Sequence, residues 1–191
     1  GDGKVTAEDQ TVIGHGLPIH TGGFTNNFSY KGFDLSIFFQ WSYGNDVINY
    51  NRAKLEDLRG QHTNQLASAM NHWTPRVDNG DGTYTDGNYT NYLCAVNRNL
   101  TNLNTSRVVE DASFLRLKNV QLGYNFPVKL IKRIGISSLR LYVSGQNLWT
   151  WTKYTGYDPE VSTRNSALTR GFDYSAYPKT TSYTFGIKLG L

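Results

Sequence analysis

The chain has 191 residues, with 19 Lys+Arg against 15 Asp+Glu, a formal net charge of +4. One cysteine, Cys94, excludes a disulfide framework and a multi-cysteine zinc site, and no run approaches the roughly 18 apolar residues of a membrane helix. Basic residues form no run longer than Lys132-Arg133, which argues against a nucleic-acid surface, while 13 Tyr, 9 Phe, 4 Trp and 19 Gly give a β composition.

The chain opens on GDGKVTAED, half of a calcium loop. Gly3 takes its sharp-turn position, Asp2 and Asp9 take two ligand positions, and the earlier ligands would precede residue 1, which suggests a truncated motif. A plain Asp-Gly turn without an ion is the competing reading. The first expected strand is Gly22–Tyr30, with Phe24, Phe28 and Tyr30 on one face. Lys31-Gly32 then predicts a tight hairpin into Phe33–Gly44. There Phe33, Leu35, Ile37, Phe39, Trp41 and Tyr43 alternate with Asp34, Ser36, Phe38, Gln40, Ser42 and Gly44, the period of two that marks a strand.

Residues 45–112 form a long connection. Within it Leu66, Met70 and Trp73 have helical spacing and predict a short helix burying that stripe, and Asp78-Asn79-Gly80-Asp81-Gly82 reads as a loop tip. A third strand is expected over Ser113–Phe126, where Val120, Leu122, Tyr124 and Phe126 oppose Asn119, Gln121, Gly123 and Asn125. Strict alternation puts Arg116 and Lys118 on the apolar face, near one end, where their charged heads would snorkel to a polar boundary. A connection over 127–138 opens with Pro127 and leads to Leu139–Thr152, where Leu139, Leu141 and Val143 oppose Arg140, Tyr142 and Ser144. About 24 residues, 153–176, precede the last strand, Thr180–Leu191, whose apolar face is Tyr183, Phe185, Ile187, Leu189 and Leu191.

Connections that run short, long, short, long fit a transmembrane β-barrel with brief periplasmic turns and long outer loops. The expected fold is therefore all-β, an antiparallel transmembrane barrel segment of about five strands whose last strand ends in the periplasm. Aromatics at strand ends (Trp41, Tyr43, Trp149, Trp151) fit an interfacial girdle. Five strands cannot close a membrane barrel, so residues 1–191 would be part of a larger one. The competing fold is a soluble β-sandwich with one wet face, acting as a secreted, calcium-dependent carbohydrate-binding module.

Four stretches carry a family resemblance: YKGFDLSIFFQWSYGNDVIN (Tyr30–Asn49), ASFLRLKNVQLGYNFP (Ala112–Pro127), LRLYVSGQNLWTWTKYTGYDPEV (Leu139–Val161) and GFDYSAYPKTTSYTFGIKLGL (Gly171–Leu191). In this order they resemble the C-terminal barrel of SusC/RagA-type TonB-dependent outer-membrane transporters of Bacteroidetes-type bacteria. The resemblance implies a barrel of about 22 strands, with the plug domain and earlier strands absent from this chain. It implies import of an oligosaccharide or peptide across the bacterial outer membrane, a SusD-like surface lipoprotein as lid, and energy from the TonB complex through the absent N-terminal part. Outer-membrane lipids and lipopolysaccharide would surround the wall. The final residue, Leu191, departs from the aromatic that usually ends such barrels, while Tyr183 and Phe185 keep the pattern.

No catalytic constellation emerges. His15, His20, His62 and His72 form no metal-binding pair, Cys94 has no partner motif, and Asp158-Pro159-Glu160 places two carboxylates adjacent rather than across a cleft. The reading is a binding and transport protein, not an enzyme. Aromatic and amide-rich loops name Trp73, Tyr92, Tyr154 and Tyr157 as candidate substrate contacts, beside Arg140, Tyr142 and Gln146 on the polar strand face. Ser36, Gln40, Ser42, Asn119, Gln121 and Ser144 complete the expected lumen face. No cofactor is required; Asp2 and Asp9 make Ca2+ the one candidate ion.

Overall fold

Alternating apolar and polar side chains, with β-branched and aromatic residues on one face, leave the long segments few alternatives to paired strands. The computed structural model describes residues 8, 10–58, 64–88, 105–163 and 170–191. Among them the strands in chain order are β1 (His20–Tyr30), β2 (Phe33–Tyr43), β3 (Asp46–Asn49), β4 (Val77–Asp78), β5 (Tyr84–Thr85), β6 (Val109–Asp111), β7 (Phe114–Asn125), β8 (Ser138–Thr152), β9 (Phe172–Asp173) and β10 (Ser182–Gly190). The helices are α1 (Tyr50–Leu55) and α2 (Val128–Ile131). The chain divides into two units, one of residues 17–45, 111–160 and 177–191, the other of residues 1–16, 46–110 and 161–176.

The first unit is an antiparallel sheet in the order β1-β2-β7-β8-β10, each strand beside its predecessor. All five expected strands are present, with ends within two residues of expectation. The β1–β2 hairpin turns on Lys31 and Gly32, whose φ values of 45° and 90° suit the turn type that matches strand twist. The register aligns Phe24, Phe39 and Leu117 on one face, and likewise Leu35, Leu122, Val143 and Phe185. That face is exposed: Phe28 is 58%, Ile187 72% and Phe185 81% accessible. The opposite face carries Asp34, Ser36, Gln40, Ser42, Asn119, Gln121, Arg140, Tyr142, Ser144 and Gln146, as expected.

Arg116 and Lys118 correct the expectation that they share a face with Val120 and Leu122. The β2–β7 pairing skips Lys118, running from Phe39↔Leu117 to Phe38↔Asn119. The β7–β8 pairing skips it too, together with Asn147 and Leu148 on β8. An extra unpaired residue moves every side chain beyond it to the other face. Arg116 therefore aligns with Gln40 and Thr150 on the polar face, while Leu115 and Leu117 join the apolar one.

Close crossings tie the polar face together. Arg140 reaches over Gly123 to Asp34 (2.5 Å), and Asn125 Nδ2 donates to the other Asp34 oxygen (3.0 Å). A Cβ at position 123 would sit 2.7 Å from the Arg140 guanidinium, so glycine leaves the path open. The Tyr142 ring lies over Gly186 of β10 in the same manner. The connection after β7 holds α2 and a 3-10 turn, Lys132–Ile134, closed by Gly135 at φ 79°.

The second unit contains much of the long connection. It has a small sheet, β6-β3-β9, and the hairpin β4–β5, whose tip is the expected Asp78–Gly82 segment. Asn49 caps α1 by accepting from the Arg52 N–H (3.0 Å), a start signal that sequence periodicity did not reveal. The stripe of Leu66, Met70 and Trp73 does not form as expected. A single 3-10 turn, Ala67–Met70, buries Ala69 and leaves Met70 85% exposed, because a three-residue period rotates Met70 away from the side an α-helix would bury.

Candidate functional site

The charged residues of β7 and the TGYDPEV segment after β8 converge on the polar face. Arg116 is 2% exposed, which would be costly without partners. Its Nη2 meets Asp158 Oδ1 at 2.5 Å and its Nη1 meets Glu160 Oε2 at 3.2 Å. Lys118 lies 3.8 Å from the same Glu160 oxygen, Lys179 also pairs with it, and Gln40 Nε2 donates to Oε1 at 3.5 Å. Asp158 turns its own backbone by accepting from the Glu160 N–H (2.9 Å), and it accepts from the Lys179 N–H (3.3 Å).

Burial alone would push the Asp158 carboxyl up. The Arg116 hydrogen bond, the Glu160 N–H, the Arg116 charge and the Lys179 N–H together hold it below the ordinary carboxylate value. The segment is thus pinned by an ion cluster of three cations, Arg116, Lys118 and Lys179, and two carboxylates, Asp158 and Glu160. Charges held in direct pairs suit positioning rather than proton transfer.

Beside this cluster lies a cleft of about 320 Å³. Arg116, Asn147, Thr150, Tyr157, Asp158 and Thr181 are among its lining residues. Asn147 sits in the β8 bulge at φ 51°, a conformation that Asn tolerates better than most residues. Its Nδ2 donates to the Thr180 carbonyl (3.0 Å).

The expected contact residues separate. Tyr157 lines the cleft and is 81% exposed. Tyr154 is buried, with its ring against Gly156, and presents no open face. Arg140, Tyr142 and Gln146 share the polar face of β8, where Arg140 is paired with Asp34 and Tyr142 covers Gly186. Trp73 belongs to the other unit and is half-buried. Tyr92, Cys94, His62 and the two carboxylates of the calcium half-loop, Asp2 and Asp9, lie outside the described residues. His20 accepts from Trp41 Nε1 (3.1 Å) and stacks on Tyr43, while His72 contacts the Ala69 carbonyl. No group of three or more metal-ligating side chains occurs among the described residues.

Sequence reasoning missed Arg116 and Asn147 as members of one site. The spacing held a signal for Arg116: apolar positions run 115, 117 and then 120, 122, 124, and the step of three marks the bulge.

A second cluster belongs to the other unit. Buried Glu56 accepts from Arg52 (3.2 Å to each oxygen) and Ser68 (2.8 Å) and pairs with Arg107, while Arg52 also reaches Glu110 (3.2 Å). These bonds tie α1, the Ala67–Met70 turn and β6 together.

No family model matches the chain. Single relatives do. The TonB-dependent receptor P3 of Formosa agariphila is 38% identical over 99% of this chain and 18% of its own length. The TonB-dependent receptor SusC of Bacteroides thetaiotaomicron is 26% identical over 99% of this chain and 17% of its own length. A solved structure of the RagAB peptide transporter aligns with a TM-score of 0.70 at 32% identity, over 88% of this chain and 17% of that one. The chain spans less than a fifth of the length of these proteins. Along nearly its whole length, the chain is related by sequence and by fold to the SusC/RagA-type TonB-dependent receptors.

Proposed function

We propose that this chain is a stretch of the transmembrane wall of a SusC-like TonB-dependent nutrient importer, the C-terminal part of a barrel of about 22 strands in the bacterial outer membrane. The observation that carries this reading is the sheet's exposed apolar face, continuous over five strands and backed by a polar one. In water that face is a liability; in a bilayer it is the required surface. The wall would enclose a polar lumen lined by Ser36, Gln121, Ser144 and their neighbours.

The cargo in this reading is an oligosaccharide or peptide, captured under a SusD-like lipoprotein lid and released inward by energy delivered through TonB. The peptide class has support from a solved relative named as a peptide transporter, while the oligosaccharide class rests on the sequence resemblance alone. No cofactor is needed, and a Ca2+ held by Asp2 and Asp9 would be structural. The competing sandwich module would have to cover the apolar face, yet Phe185 and Ile187 stand open on it.

A face-swap pair in the full-length protein tests the wall. Ile37 and Ser36 are neighbours near the middle of β2 and point to opposite faces. Ile37→Arg places a charge on the lipid side at about 2–4 kcal/mol if it lies near mid-bilayer, and should abolish outer-membrane assembly. Ser36→Arg should assemble normally. The readout is heat-modifiable migration of the protein recovered from membranes, and equal behaviour of the two variants would refute the assignment.

A further inference from the structure

The end of the five-stranded sheet that carries the β1–β2 and β7–β8 connections is unbalanced in charge. Residues 28–36, 122–142 and 186–191 hold six Lys and Arg but one acidic side chain, Asp34. Asp34 is already engaged by Arg140 and Asn125 on the polar face. Three of the cations, Lys129, Lys132 and Arg133, lie in the β7–β8 connection. All three are exposed, and none pairs with a carboxylate among the described residues.

The same connection is apolar where it is open. It is fixed to the sheet: Ile131 is buried, α2 packs on β8, and the Ser137 N–H donates to the Gly190 carbonyl (2.8 Å). Yet Val128, Leu130 and Ile134 stay 56%, 67% and 70% exposed. Open aliphatic side chains interleaved with unpaired cations are the pattern of a segment lying at a membrane boundary. The connection also continues an aromatic band. Phe33 packs on Tyr124 (ring centroids 4.5 Å apart), Tyr124 packs on Phe126 (4.8 Å), and Phe126 directly precedes Pro127. At the same end Lys31 Nζ lies 5.2 Å from the Tyr30 ring centroid, so a cation rests on an exposed ring there too.

We propose that the β7–β8 connection is an interfacial binding site for anionic phospholipid, with Val128, Leu130 and Ile134 in the acyl boundary and Lys129, Lys132 and Arg133 on headgroup phosphates. Aliphatic side chains gain by leaving water, and ammonium and guanidinium groups donate to phosphate oxygens. Both needs are met within residues 128–134. Basic segments beside a bilayer are drawn to anionic lipid. The site rests on the wall reading, which puts the short connections at the periplasmic boundary, but its test reads lipid preference and not assembly, so either can fail alone.

The test is native mass spectrometry of the full-length receptor in detergent, incubated with equal amounts of phosphatidylglycerol and phosphatidylcholine of matched chains. The wild type should retain phosphatidylglycerol over phosphatidylcholine by at least about threefold. Lys129→Gln/Lys132→Gln/Arg133→Gln should bring the ratio close to parity. Lys54→Gln/Arg76→Gln/Lys153→Gln, the same charge change at exposed positions elsewhere, should leave it at the wild-type value. Leu130→Ser/Ile134→Ser should lower retention of both lipids together. All these side chains are exposed, and heat-modifiable migration confirms that each variant is assembled. No preference in the wild type, or an equal loss in the control variant, would overturn the proposal. A preference that survives in the first variant would also overturn it and leave an acidic protein segment as the partner of these cations. Unchanged retention in Leu130→Ser/Ile134→Ser would overturn it as well, reducing the connection to a phosphate contact without an acyl one.

Discussion

Arg116 and Asp158 show how one buried pair converts sequence distance into shape. They are 42 residues apart and both nearly inaccessible. Removing one partner of such a pair typically costs about 3–5 kcal/mol, because the other charge stays buried. Asp158 has a depressed carboxyl pKa, so its stabilising contribution is complete above the ordinary carboxylate value of about 4 and is lost as pH falls through the depressed one. Limited proteolysis of the full-length protein should therefore leave residues 153–160 uncut at pH 7 and release cleavage there in strong acid. Asp158→Asn should expose the same bonds at pH 7. Protection that persists unchanged in Asp158→Asn would show that the pair does not hold the segment.

At the scale of elements, the Lys31-Gly32 turn sets the β1–β2 register. Gly32 has φ 90°, and a Cβ there would meet the Asn125 carbonyl oxygen at 2.8 Å. Gly32→Val should cost about 1–3 kcal/mol, whereas Lys31→Asn should be neutral or slightly stabilising, since Asn accepts the left-handed region. Urea unfolding in micelles measures both. The strands themselves were legible in the sequence because period two is a local signal, and one oily face repeats it in every strand. The bulges were not, because counting alternate positions through Ser113–Phe126 assumes no inserted residue; Lys118 breaks that count and carries Arg116 to the polar face. The long connection was the least legible part. Its order comes from polar networks such as that around Glu56, joining residues far apart in sequence and leaving no periodic trace. Tyr154 and Tyr157 looked alike as loop aromatics, and only packing against Gly156 separates the buried ring from the open one.

At the scale of the molecule, burial is inverted relative to a water-soluble domain. Among the described residues the largest fully buried side chains are only Val47, Val108 and Asp173, while many of the large aromatics of the five-stranded sheet face outward. Its two outer strands, β1 and β10, are 11 and 9 residues long and have one neighbour each among the described residues. Long unpaired edges and an exposed oily face both drive association. Residues 1–191 produced alone should aggregate in buffer and disperse in detergent; a stable monomer of about 21.5 kDa on size exclusion without detergent would contradict the wall assignment. The inserted Lys118 has a wider consequence for how such a wall tolerates change. It works as a frame marker: substituting it alters one side chain, but deleting it would turn everything on one side of it inside out, sending Arg116 to the apolar face and Leu115 and Leu117 to the polar one. A sheet built this way is more sensitive to a change of length at this position than to a replacement there.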